Sequence, residues 1–206
     1  MISGEDGETD PEIKAVKGAL AKHCSGWAEV LTRRVEKMED IMAGAEESEA
    51  DIIHFCGYCD PGGYFYLVHS QQVQWDPRFK KESLIRQMAC LPHYPRILYF
   101  NGHLKERELE AADKGHVDFW IGMETKSHPE VSRQFAPKLY TFLCHGYTFS
   151  AAFKEADDLL PKKHARPIFR FLRGTVDPEK YRLCDSVLAE IMVQNRAGNK
   201  SRVSYR

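Results

Sequence analysis

The chain has 206 residues, of which 43% are hydrophobic and 29% charged, and its formal net charge at pH 7 is −1. This balance excludes a disordered, collagen-like or low-complexity protein, and the length suits one globular domain with its own core. No run of about 18 uncharged apolar residues is present, and the first ten residues are acidic and polar, unlike a signal peptide. We therefore expect a cytoplasmic protein that does not associate with membranes.

Charge is distributed unevenly along the chain. Residues 1–51 contain 13 acidic and 6 basic side chains, whereas residues 161–206 contain 4 acidic and 11 basic ones. No aromatic–basic alternation or nucleic-acid-binding motif accompanies the basic segment. We therefore predict a solvated basic surface and no nucleic-acid partner.

In the first part of the chain, helical and strand patterns alternate. Ile13, Val16 and Leu20 recur at helical spacing, whereas the run 52–56 is short, apolar and β-branched, which is typical of a strand covered on both faces. We predict, in order, a helix over 12–24, a weak strand over 28–35, a short helix over 38–45, a strand over 51–56 and, after the turn 60–63, a hairpin arm or neighbouring strand over 64–68.

The second part of the chain continues the alternation. We predict a helix over 77–91, a strand over 96–100, a charged helix over 103–114, a strand over 117–123, helices over 130–144 and 148–160, a strand over 167–172 and a last helix over 181–193. Strands separated by helices of this length imply right-handed crossovers. The predicted fold class is α/β, a three-layer α/β/α sandwich with a mainly parallel sheet.

Functional groups in such folds lie at the carboxyl ends of the strands. The segments that close the two central strands are 56–59 and 101–103. We therefore expect a functional site, if there is one, to form from these two segments.

The chain resembles the CHAT domain, a caspase-like peptidase domain of clan CD. The resemblance rests on Asp51-Ile-Ile-His-Phe-Cys-Gly-Tyr, on the strand 62–68, on Arg96-Ile-Leu-Tyr-Phe-Asn-Gly-His, on the strand 117–123 and on the helix 150–156. It implies a caspase-like domain over 12–195, preceded by a polar segment, 1–11, and followed by a basic tail, 196–206.

Three positions depart from the family's pattern. Tyr58 stands where the resemblance implies the catalytic His, Cys59 where a Gly follows it, and His103 where it implies the nucleophilic Cys. A phenol with a pKa near 10 is a poor general base at neutral pH, and an imidazole does not form the thioester of this reaction. The resemblance therefore implies a catalytically impaired relative that needs no cofactor, whose pocket is formed by Gly57, Asn101 and Gly102.

Such a protein acts by binding, as a regulator or scaffold. The resemblance implies a protein partner, because members of the family commonly accompany repeat domains. The oligomeric state does not follow from the sequence.

Two other functions remain open. Cys59 and His103 form a peptidase dyad with exchanged roles if the two side chains meet. Cys56 and Cys59 form a C-x-x-C pair that suits thiol redox chemistry, or zinc binding together with His54 and His69, although a strand follows this pair where redox proteins have a helix. His54 itself, inside an apolar strand, is predicted to be a hydrogen-bonded core histidine.

The six cysteines, at 24, 56, 59, 90, 144 and 184, are irregularly spaced, so we expect them to be mostly reduced. The run Cys144-His145-Gly146 indicates the C-cap of a helix.

Residues 1–10 contain little apolar sequence, so we expect the family's first strand to be absent. In that event the chain is a fragment, the sheet closes without that strand, or a partner supplies it.

Overall fold

The computed structural model describes residues 2–3, 11–24, 28–34, 38–56, 58–59, 64–66, 78–88, 90–103, 117–123, 129–161, 169–173 and 176–183. Its helices are α1 (Pro11–His23), α2 (Met38–Ser48), α3 (Lys81–Met88), α4 (Pro129–Cys144) and α5 (Phe149–Asp158). Its strands are β1 (Ile2–Ser3), β2 (Arg33–Arg34), β3 (Ile52–Cys56), β4 (Tyr58–Cys59), β5 (Tyr64–Tyr66), β6 (Arg78–Lys80), β7 (Ile97–His103), β8 (Phe119–Met123) and β9 (Phe169–Arg173).

Six of the strands form one sheet in the order β2-β1-β3-β7-β8-β9. All neighbours in this sheet run parallel except β8 and β9, which are antiparallel. The prediction of a mixed α/β protein with a mainly parallel sheet is confirmed. The predicted helix over 103–114, nearly all of the one over 181–193 and the basic tail lie outside the described residues.

The expectation that the first strand is absent is wrong. Ile2 and Ser3 form β1, which pairs in parallel with Phe55 and Cys56 of β3 on one side and with β2 on the other. The sequence signal is weak because this strand has only two residues. The weak strand predicted over 28–35 is likewise reduced to the two residues of β2.

The strands β4, β5 and β6 form a separate antiparallel sheet. β5 is the second arm of a hairpin with β4, as the turn sequence predicts. Strand β6 occupies part of the segment predicted as a helix over 77–91, so α3 begins only at Lys81. β4 also contacts β7 of the large sheet, and this contact connects the two sheets.

Alternate residues of β7 enter two hydrophobic clusters. Ile97 and Tyr99 belong to the first cluster, with residues of α1, α4 and α5, whereas Leu98 and Phe100 belong to the second, with residues of α2 and α3. Because successive side chains of a strand point to opposite faces, the sheet carries one cluster on each face. Strands buried on both faces explain why β3, β7 and β8 are almost continuously apolar.

The C-terminus of α4 has the predicted cap. The Gly146 N–H donates to the Leu143 carbonyl and the Tyr147 N–H to the Phe142 carbonyl, and Gly146 has a φ of 78°. These are the two hydrogen bonds of a Schellman motif, which needs a residue with positive φ at this position.

The expectation that the cysteines are mostly reduced is wrong for one pair. Cys24 and Cys144 form a disulfide, with Cα atoms 5.8 Å apart, whereas Cys56 and Cys90 are not disulfide-bonded. The helices α1 and α4 pack against each other, so their C-terminal ends meet. This pairing has no local sequence signal because 120 residues separate the two cysteines. Within the described part of the chain, none of the helices combines the length and the apolar character of a membrane span.

Candidate functional site

Four buried polar side chains, from four different elements, form a connected group on one face of the sheet. Glu12 lies in the first turn of α1, His54 in β3, Asn101 in β7 and Tyr140 in α4. None of them exposes more than 8% of its surface. We call these four residues the polar cluster.

Hydrogen bonds connect the polar cluster in a chain. The Nε2 atom of His54 lies 3.1 Å from Oε1 of Glu12, and Nδ2 of Asn101 donates to Oε2 of Glu12 at 2.7 Å. The Tyr140 hydroxyl lies 3.0 Å from Nδ1 of His54. Both imidazole nitrogens and both carboxylate oxygens are therefore engaged.

Strand alternation places these side chains on the same face. In β3, Ile53 and Phe55 enter the second hydrophobic cluster, so His54 and Cys56 point to the opposite face, towards α1 and α4. In β7, Asn101 follows Tyr99 by two residues and so shares its face. The prediction that His54 is a hydrogen-bonded core histidine is confirmed.

The partners of His54 differ in what they can donate and accept. A carboxylate in its ionised form only accepts hydrogen bonds, which suits an N–H at Nε2 of His54, whereas the Tyr140 hydroxyl can donate to Nδ1 or accept from it. The carboxylate lies at the N-terminus of α1, where the helix dipole favours negative charge.

The phenols next to this carboxylate are held in their neutral form. Burial raises the pKa of Tyr140 well above its ordinary value, and Cys56 and Glu12 raise it further. Burial likewise raises the pKa of Tyr99, with Glu12 as the next cause. Tyr140 therefore keeps its proton at neutral pH, and its hydroxyl is able to donate to Nδ1 of His54.

A carboxylate, an imidazole and a hydroxyl in series form the arrangement that activates a hydroxyl nucleophile in some hydrolases. Here, however, Glu12, His54 and Tyr140 are 3%, 2% and 2% exposed. The three side chains are therefore almost fully withdrawn from bulk solvent. The polar cluster connects α1 and α4 to the two central strands through hydrogen bonds.

The cluster also adjoins a set of metal-binding atom types. Ligand atoms of Glu12, His54 and Cys56 all lie within 4.8 Å of one another. An ion held by them would have to replace the hydrogen bond between His54 and Glu12, which already satisfies both groups. The zinc set suggested by the sequence shares only His54 and Cys56 with this group, and the structure does not describe His69.

A cavity of about 290 Å³ adjoins the polar cluster. It lies between β3 and the segment 28–33, and both His54 and Tyr140 line it. Exposed residues of its wall, including Glu29, Leu31 and Glu49, connect it to the surface. We call it the β3-edge cavity.

Of the residues predicted as the site, Asn101 belongs to the polar cluster, whereas Tyr58, Cys59 and His103 lie at or beyond the carboxyl ends of β3 and β7. Tyr58 and Cys59 form β4 and pair with Tyr66 and Phe65 of β5, while His103 is the last residue of β7 and pairs with Met123. The structure describes their backbones but not their side chains, and the Cys59–His103 dyad stays a prediction. Gly102 lies in β7, Gly57 is outside the described residues, and Asn101 is buried against Glu12.

Sequence reasoning missed Glu12 and Tyr140. Glu12 precedes the buried Val16 by four residues, so a charged side chain occupies the buried stripe of α1. Tyr140 follows the buried Ala136 by four residues on α4 in the same way. A charge within an apolar helical stripe is the signal that could have identified Glu12.

Comparisons with known proteins give no match: no family model matches this chain, and no curated protein is significantly similar to it.

Proposed function

We propose that this chain is a catalytically impaired protein of the CHAT type, with a three-layer, caspase-like fold, that acts in the cytoplasm by binding another protein. The observation that supports the proposal is that β3 and β7 are adjacent, paired strands of the sheet. The two strands are parallel and in register from Ile52 and Ile97 to Phe55 and Phe100, so their carboxyl ends lie at the same edge of the sheet.

Tyr58 follows the end of β3, in β4, and His103 is the last residue of β7. β4, which contains Tyr58, contacts β7, which His103 ends. With a phenol at the position of the base and an imidazole at the position of the thiol, neither group of the cysteine-peptidase dyad is in its place. The other carboxylate, imidazole and hydroxyl described above are hydrogen-bonded to one another in the polar cluster.

A peptidase assay of the full chain tests the loss of activity. We expect no turnover of a fluorogenic peptide library that varies the residue before the scissile bond. Reinstating the family's dyad, by Tyr58→His together with His103→Cys, is expected to produce measurable turnover, whereas each single variant stays inactive. Turnover by the unmodified chain contradicts the proposal.

Thiol labelling separates the other two functions. Cys90 is exposed and free, so it is expected to react with iodoacetamide in any case, and Cys90→Ser removes this background. Labelling is then read at Cys59 by peptide mapping. Fast labelling there, together with turnover that Cys59→Ala abolishes, favours the exchanged dyad. A reversible Cys56–Cys59 disulfide favours redox chemistry, and slow labelling without a disulfide supports the binding protein.

A further inference from the structure

Three buried side chains on the α1 side of the sheet carry atoms that bind transition metals. Glu12, His54 and Cys56 are at most 5% exposed, and one ligand atom from each lies within 4.8 Å of the other two. His54 and Cys56 are two residues apart on β3, so both point to the face on which the first turn of α1 places Glu12. We call these three residues the buried triad.

The spacing of the buried triad is close to that of a tetrahedral zinc site. Oε1 of Glu12 and Nε2 of His54 lie 3.1 Å apart, whereas an oxygen and a nitrogen bound to the same Zn²⁺ ion are about 3.4 Å apart. A sulfur bound to that ion lies about 3.6 Å from each of them. Because the sulfur of Cys56 is within 4.8 Å of both atoms, it has to approach them by about 1.2 Å at most.

Neighbouring side chains hold the remaining polar atoms of Glu12 and His54. Oε2 of Glu12 accepts from Nδ2 of Asn101 at 2.7 Å, and Nδ1 of His54 lies 3.0 Å from the Tyr140 hydroxyl. Carboxylates and imidazoles that bind metals have such outer partners, which orient the ligand atoms and fix the imidazole tautomer. Asn101 and Tyr140 therefore keep Oε1 and Nε2 next to each other, as a shared ion requires.

The chemistry of the buried triad favours zinc among the common divalent ions. Mg²⁺ and Ca²⁺ prefer oxygen ligands, whereas sulfur and imidazole nitrogen are typical ligands of Zn²⁺, which also accepts a carboxylate oxygen. A thiolate and a carboxylate together balance the charge of the ion. The complete site then has no net charge, which reduces the cost of burying it in the core.

We propose that Glu12, His54 and Cys56 bind one Zn²⁺ ion, which connects α1 to β3 in the core. The ion replaces the hydrogen bond between Oε1 and Nε2 by a coordinate bond to each atom, so neither atom loses its partner. The imidazole proton then lies on Nδ1, where the Tyr140 hydroxyl accepts it, and the thiol proton of Cys56 is released to solvent. Water from the β3-edge cavity, whose wall includes His54, completes the four ligands.

This site differs from the zinc set that the sequence suggested. Cys59 and His69 belong to that set and not to the buried triad, whereas Glu12 belongs only to the triad. The inference goes beyond the proposed function and does not depend on it, because an ion in the core stabilises the fold whether or not the chain cleaves peptides.

Zinc titration of the full chain, treated with a chelator and desalted without reductant, tests the site. Competition with a chromogenic chelator is expected to show one equivalent of bound zinc with a dissociation constant of about 1 μM or lower. X-ray absorption at the zinc edge then identifies the ligands without any substitution. We expect one sulfur at about 2.3 Å and otherwise nitrogen or oxygen at about 2.0–2.2 Å.

Cysteine variants locate the sulfur ligand. Cys56→Ala is expected to weaken zinc binding about a hundredfold or more, because a direct ligand contributes more than an outer partner does. It is also expected to abolish the thiolate-to-metal absorption band of the protein loaded with Co²⁺. Cys59→Ser and Cys90→Ser are the matched controls, and both are expected to keep the affinity and the band.

Tyr140→Phe tests the outer partner of His54. It removes the hydroxyl beside Nδ1 and is expected to weaken zinc binding about tenfold while the Co²⁺ band remains. Tyr147→Phe, at an exposed phenol, and His145→Gln, at an exposed imidazole, are expected to leave the affinity unchanged.

Four results would overturn the zinc site: no binding up to about 100 μM zinc, a bound ion with no sulfur or more than one, unchanged affinity in a folded Cys56→Ala variant, or loss of affinity in Cys59→Ser. The last result would assign the ion to the C-x-x-C pair. If Cys56→Ala does not fold, the absorption spectrum of the unmodified chain and the Cys59→Ser variant carry the test. Peptidase turnover contradicts the proposed function alone and leaves the zinc result intact.

Discussion

Glu12 and His54 are hydrogen-bonded in the core although 42 residues separate them in the chain. The contact joins the first turn of α1 to the central strand β3. Tyr140 extends it to α4 and Asn101 extends it to β7, so one carboxylate and one imidazole connect four elements. Such a network specifies how helices and strands fit together, because each polar group is costly to bury in any other arrangement.

Replacing Glu12 tests the network directly. Glu12→Ala removes the acceptor of both the His54 and the Asn101 hydrogen bonds, and we expect the free energy of unfolding to fall by about 3 kcal/mol. Glu12→Gln retains an acceptor oxygen and is expected to cost about half as much. Urea denaturation at pH 7 measures both. Glu29→Ala, at an exposed position, is the control, and equal stabilities of Glu12→Ala and the control would contradict the structure.

Removing the Tyr140 hydroxyl isolates the other end of the network. Tyr140→Phe deletes the donor to Nδ1 of His54 and leaves the ring packing in place, so we expect a loss of about 1–2 kcal/mol in the free energy of unfolding. Tyr147 is exposed, and Tyr147→Phe is expected to change stability by less than about 0.5 kcal/mol. If the two variants have the same midpoint in urea, the hydrogen bond to His54 is not formed.

The raised tyrosine pKa values predict loss of stability in alkali. The folded state holds the protons of Tyr99 and Tyr140 to a higher pH than the unfolded state does. The resulting stability is fully present below the unfolded-state pKa, near 10, and is lost as pH rises from there towards the folded-state pKa. Each tyrosine contributes a slope of up to about 1.4 kcal/mol per pH unit.

Unfolding free energies measured from pH 9 to 11 check this sign. The slope is expected to be smaller in Tyr140→Phe, which retains only Tyr99, and unchanged in Tyr147→Phe. An unfolding free energy that is constant to pH 11 would show that the pKa values of the two phenols are the same in the folded and unfolded states, and would contradict the prediction.

The disulfide is expected to stabilise the fold strongly. Its loop contains about 120 residues, so cross-linking Cys24 to Cys144 restricts the unfolded chain considerably. Cys24→Ser with Cys144→Ser is expected to lower the free energy of unfolding by about 2–5 kcal/mol. Dithiothreitol should lower the melting temperature of the unmodified protein but not that of the double variant. Cys90→Ser, at an exposed free thiol, serves as the control for loss of a sulfur.

The central elements of the fold were predictable because their signals are local. β3 is a short apolar run after Asp51, β8 lies within the predicted 117–123, and α4 follows the apolar stripe through Phe135 and Leu139 in spite of Pro137. The cap at Gly146 and the Thr148 N-cap, whose side chain accepts from the Ala151 N–H, were also visible as residue types at helix ends. Each of these features depends on residues that are close to one another in the sequence.

The polar cluster was only partly predictable. His54 was identifiable as a core histidine from the apolar strand around it, and Asn101 as a residue at a strand end. Its partners were not identifiable, because Glu12 precedes His54 by 42 residues and Tyr140 follows it by 86. A two-residue strand such as β1 is too short to show the alternation of apolar and polar residues by which a strand is recognised in a sequence.

The amino-acid sequence by itself determined the alternation of strands and helices, since this depends on local pattern and residue identity. Only the tertiary structure decided that α1 and α4 end together, which forms the Cys24–Cys144 disulfide, and that His54 and Tyr140 meet beside a cavity next to β3. The reason is that packing brings together residues that are far apart in the chain, and local sequence patterns carry no information about which distant residues will meet.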